Sequence, residues 1–70
     1  MNRHFTAVIK KDEDWWIGWI EEVQGVNSQG RSREELLDNL RSALREAIEM
    51  NREEAIKQAE DAYEEEAILV

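Results

Sequence analysis

The sequence predicts an α+β fold, a three-stranded antiparallel meander followed by a helix. Three observations predict it. Two strand-like runs, Phe5–Lys10 and Trp15–Glu22, lie close together near the N-terminus. Gly25 and Gly30 bracket a third, shorter run, Val26–Gln29. A Ser32-x-x-Glu35 capping box then opens an apolar stripe with helical spacing.

In the first run Phe5, Ala7 and Ile9 alternate with Thr6, Val8 and Lys10, the period of a strand. Lys10–Asp14 is polar and of hairpin length, without an Asn-Gly or Asp-Gly turn signal. Trp15–Glu22 is rich in aromatic and β-branched residues, which suit a pleated, half-buried surface. Strands so closely spaced pair most economically as an antiparallel meander over residues 1–30.

The main helix is expected over residues 32–50. Leu36, Leu37, Leu40, Ala43, Leu44, Ala47 and Ile48 form one stripe, and Glu34, Glu35, Asp38, Arg41, Arg45, Glu46 and Glu49 take the other faces. Glu34 and Glu35 also sit in the first turn, where the helix dipole favours negative charge. No Gly or Pro follows Gly30, so helix could run on to Glu65. A helix of that length, about 50 Å, would overhang strands of about 25 Å. A break is therefore expected near Met50–Asn51. Asn51-x-x-Glu54 can cap a second short helix over 51–65, with Ala55, Ile56, Ala59, Ala62 and Tyr63 as a weaker stripe. Ala67-Ile68-Leu69-Val70 reads, on its residues alone, as a short apolar tail.

Seventy residues make one small domain with a modest core. With no cysteine and no Cys/His cluster, neither disulfides nor a structural zinc can reinforce it. Small domains without such staples often gain stability by oligomerising. The longest mostly apolar run, Trp15–Ile20, is far too short to cross a bilayer, and no signal-like core follows Met1. The expected location is the cytoplasm. The net charge of −8 argues against direct binding to nucleic acid. The acid concentrates at the C-terminus, where residues 51–70 carry seven acidic and two basic side chains. That is either a solvated helix face or a surface for a basic protein.

Gly25, Gln29, Gly30, Ser32, Glu34 and Glu35 fall on the pattern P-x-L-P-G-C-x-x-Q-G-D-T-x-E-E-A. On these residues the chain, from Phe5 to about Asn51, resembles the HicB family of small antitoxins. Glu21, Gln24 and Val26 stand where the pattern has its two prolines and its cysteine. The resemblance implies a reduced ribonuclease-H-like fold, with residues 66–70 closing the sheet as a short fourth strand. It also implies a partner, a HicA-type toxin that is small, basic and cleaves RNA with a histidine. Many HicB-like proteins add a DNA-reading module at the C-terminus. After Asn51 this chain has only Arg52 and Lys57 as basic residues, too few for a phosphate footprint.

No catalytic constellation stands out. His4 is the one histidine, Ser32 is explained as a cap, and Ser28 and Ser42 have no identifiable base. There is no phosphate-binding glycine loop and no His-Glu-x-x-His pair. Asp12-Glu13-Asp14 is better explained as a solvated turn than as a cation site, and no strand-centred acid cluster of the ribonuclease H kind is present. The expectation is a non-enzymatic protein without cofactor or metal.

One helical layer covers one sheet face. Alternation divides the second strand into Trp16, Gly18 and Ile20 on one side and Trp15, Ile17 and Trp19 on the other. In the family, small and apolar residues prevail at the positions of Gly18 and Ile20, which assigns those two, with Phe5, Ala7, Ile9 and Trp16, to the helix side. Trp15, Ile17, Trp19 and Val8 then form an outer apolar patch larger than a soluble monomer usually exposes. The candidate partner-binding residues, for toxin or for a second copy, are Asp12, Glu13, Asp14, Trp15, Ile17, Trp19, Glu21 and Glu22. A homodimer or higher homo-oligomer is expected. The alternative is an orphan oligomeric module, structural or ligand-binding, with no toxin.

Overall fold

A computed structural model describes residues 4–68. Three strands, β1 (Ala7–Asp12), β2 (Trp15–Ile20) and β3 (Asn27–Gly30), precede one helix, α1 (Arg33–Ala59). The sheet order is β1-β2-β3, with both pairs antiparallel. This is the expected meander followed by a helix.

The first strand begins and ends two residues later than the alternation suggested. Lys10, Lys11 and Asp12 pair with Ile17, Trp16 and Trp15, which leaves only Glu13 and Asp14 as the hairpin loop. Two-residue hairpins need a positive φ at their first central position to match the strand twist, and Glu13 supplies it at 56°. The polar run reads as a loop in sequence, yet cross-strand contact with two tryptophans holds it in the ladder. Ile20 donates its N–H to the Val26 carbonyl at 3.0 Å, closing the connection in which Gly25 takes a φ of 87°.

Glycines at two positions decide where the helix lies. A β-carbon on Gly18 would stand 3.3 Å from Leu36 Cδ2, and one on Gly30 would stand 2.6 Å from the Leu36 amide nitrogen. Leu36 therefore seats directly over β2 and the end of β3, completely buried. With Leu40, Ile20 and Val26 it forms the core, flanked by Phe5, Ala7, Ile9, Trp16, Val23, Ala43, Leu44 and Ala47. The helix packs on β3 and β2 and leaves the helix-facing side of β1 partly open. A cavity of about 190 Å³ remains there, between Phe5, which precedes β1, and Ala7 on the strand, and Leu37, Arg41 and Leu44 on the helix.

The helix start follows the capping rule, with one difference. Glu35 donates its N–H to Ser32 Oγ at 3.1 Å, but the Glu35 carboxylate reaches back to the N–H of Arg31, at 3.4 Å, rather than to that of Ser32. The expected break near Met50–Asn51 is absent. One helix continues through Asn51 to Ala59, so residues 51–59 extend α1 and no second helix forms over 51–65. Without Gly or Pro, each added residue gains a backbone hydrogen bond, and Asn51 has no free helix terminus to cap. Glu60 closes the helix at φ 65°, donating its N–H to the Lys57 carbonyl at 3.2 Å. The chain then folds back until Glu65 lies 4.0 Å from Arg52 Nε. Residues 60–68 form no strand, and the rest of the expected fourth strand, Leu69 and Val70, lies outside the described residues.

Candidate functional site

The sheet face opposite the helix presents a grid of side chains fixed by register. In the first row Asp12 on β1 is paired with Trp15 on β2. In the second, Lys10, Ile17 and Gln29 lie side by side across the three strands. In the third, Val8, Trp19 and Asn27 do the same. Arg31, one residue beyond β3, completes the first row by placing its guanidinium 4.4 Å from the centre of the Trp15 ring. That cation–π contact orders the arginine over an apolar surface.

Trp15 and Trp19 remain 36% and 42% exposed, large values for the most hydrophobic side chains of a sheet, and Ile17 between them is half-buried. A third tryptophan, Trp16, points to the helix side, with Lys11 Nζ 5.7 Å from its ring centre. The outer face is thus an aromatic column along β2, bordered by Val8, Lys10 and Asp12 on one edge and Asn27, Gln29 and Arg31 on the other.

The acidic candidates divide into two groups at opposite ends of that column. Asp12, Glu13 and Asp14 sit at the β1–β2 hairpin, while Glu21 and Glu22 follow β2. A six-residue strand separates them by about 20 Å, so they do not form one cluster. Glu22 also has a structural task. Its Oε1 accepts the Thr6 N–H at 2.7 Å, and the Glu21 N–H bonds the Thr6 carbonyl at 2.9 Å, so the pair fastens the start of β1. Hydrogen bonds from Thr6, the side chain first and the backbone second, hold the Glu22 carboxyl below its ordinary range.

Sequence reasoning missed Arg31, Lys10, Asn27 and Gln29 on this face. Arg31 had a usable signal, because it is two residues past Gln29 and so shares its parity. Lys10 shares the parity of Val8 in the same way, whereas Asn27 and Gln29 needed the register of β3 against β2. Among the described residues no group of three or more His, Cys, Asp or Glu side chains is placed to hold a metal ion. No described helix is long and apolar enough to cross a membrane. In comparisons with known proteins, no family model, no curated protein and no solved structure matches the chain.

Proposed function

We propose that this chain is a non-enzymatic protein-binding domain of the cytoplasm whose working surface is the outer sheet face. One observation carries the proposal: Trp15, Ile17 and Trp19 stand in an open column with carboxylates at both ends. Tryptophan is the residue most enriched where binding energy concentrates. Acidic groups around it favour a basic partner by raising the association rate, while aromatic burial slows release.

The resemblance to the HicB antitoxins supplies the partner, a HicA-type RNA-cleaving toxin. Inhibition would work by occlusion, with the aromatic column and the carboxylates at its two ends lying over the basic, histidine-containing surface that RNA must reach. RNA cleavage by such a toxin, encoded beside this chain, should stop at equimolar addition of the chain and persist with Trp19→Glu. Unimpeded cleavage with the wild-type chain would remove the antitoxin reading. So would the lack of any neighbouring gene for a short, basic, histidine-containing protein.

The second reading, an oligomeric module without a toxin, is favoured by Arg31. Its guanidinium over Trp15 gives the first row both signs of charge, which suits the face to a surface like itself.

A further inference from the structure

We infer that the outer face pairs with the same face of a second copy about a two-fold axis running along β2, joined by reciprocal contacts between Asp12 and Arg31. The inference rests on the reading of this face as an interface and deepens it by naming what covers the aromatic column.

Register carries the argument. Asp12 and Arg31 lie in one row on opposite sides of Trp15. Rotation by half a turn about an axis along β2 lays β1 of one copy over β3 of the other. Asp12 then meets Arg31 of the second copy, and the contact occurs twice. The same rotation sets Lys10 against Gln29 and Val8 against Asn27, while Trp15, Ile17 and Trp19 meet their own counterparts. No like charges oppose each other. A two-fold axis across the strands would instead bring Lys10 onto Lys10, which is repulsive. Sheets packed face to face stay within about 30° of alignment, an offset that the length of the Arg31 side chain can absorb.

The sheet edges offer no comparable surface. Lys10 and Lys11 stand on β1, and lysines on an edge strand discourage pairing. On β3, only four residues long, the Gln29 carbonyl is already taken by Asn39 Nδ2 at 2.8 Å. The face measures about 14 Å by 20 Å from strand spacing and rise. Two such faces bury roughly 600 Å² in total, below the usual span of specific interfaces and in that of weak, transient ones, so dissociation belongs in the upper micromolar range. Glu13, Asp14 and Glu21 remain at the rim, available to a basic partner.

The test is sedimentation equilibrium of the whole chain over roughly 1–300 μM, a range that spans micromolar dissociation. Wild type is measured with Asp12→Arg, Arg31→Asp and the double variant, and circular dichroism checks the folding of each. Wild type should dimerise, each single variant should weaken the dimer by about tenfold or more, and the double variant should recover. Asp12→Arg is the informative arm. It moves the chain from −8 to −6, replacing one negative charge by one positive, so overall repulsion alone would tighten the dimer. A monomeric wild type, single variants as dimeric as wild type, or a double variant that stays weak would overturn the two-fold pairing. A monomeric wild type that still blocks a toxin leaves the face to a basic partner. A dimer indifferent to Trp19→Glu removes this face from self-association altogether.

Discussion

At Gly30 an added β-carbon would meet only backbone: the Leu36 nitrogen at 2.6 Å, then Glu35 C and Leu36 Cα at 3.1 Å. Backbone at a helix start cannot yield without moving the helix. At Gly18 the tightest neighbour is the Val8 carbonyl at 2.9 Å, but the other two are side-chain atoms that can turn away. Gly30→Ala should therefore cost about 3 kcal/mol and Gly18→Ala about 1–2 kcal/mol. Denaturant midpoints of the two variants check the order, and equal losses would contradict the account of helix placement. Glu22 gives a pH prediction. Its carboxyl is held below the ordinary value of 4.5 by the Thr6 hydrogen bonds. A depressed carboxylate adds stability that is present above the unfolded value and lost as pH falls through the folded one. The melting-temperature gap between wild type and Glu22→Gln should be constant near neutrality and shrink below about pH 4.5. A gap unchanged down to about pH 3 would show that ionisation of Glu22 adds nothing to stability.

Among the elements, α1 separates what the residues disclose from what they hide. The stripe from Leu36 to Ile48 and the Ser32 cap were legible, because periodicity and capping chemistry are local. The end of the helix was not. Asn51-x-x-Glu54 has the composition of a cap, but a cap works only where the backbone has already left the helix, and nothing near Asn51 makes it leave. The overhang that seemed prohibitive is tolerated: the returning chain sets Glu65 near Arg52 beside it. Asn51→Ala distinguishes the two structures directly. In a continuous helix alanine is the better residue, so stability should rise by a few tenths to about 0.7 kcal/mol. Loss of an N-cap would cost about 1 kcal/mol instead. For the sheet, alternation separated the faces of β2, and the helix-facing set of Trp16, Gly18 and Ile20 is the one found in the structure. The start and end of β1 and the side on which Asn27 and Gln29 stand depended on cross-strand register, which one strand's sequence does not contain.

For the molecule as a whole, the problem is a small core beside a large exposed aromatic surface. Four apolar side chains, Ile20, Val26, Leu36 and Leu40, make up the buried core among the described residues, and of these Leu36 and Leu40 are fully buried. None of the three tryptophans belongs to it: Trp16 flanks it, and Trp15 and Trp19 lie exposed on the opposite face. Burying the outer face between two copies offers a gross gain of order 10 kcal/mol at about 25 cal/mol per Å², much of it offset by lost rotational and translational freedom. A charge of −8 per chain opposes association, but screening limits its reach to about 8–10 Å in physiological salt, so the apolar contribution should dominate. The molecular mass in solution of wild type beside Trp19→Glu, by sedimentation at micromolar concentration, tests the central claim most directly. Wild type should approach twice the 8.3 kDa chain mass toward the top of the roughly 1–300 μM range, and a folded Trp19→Glu should keep the single-chain mass. Equal masses for the two, whether both single or both double, would contradict it.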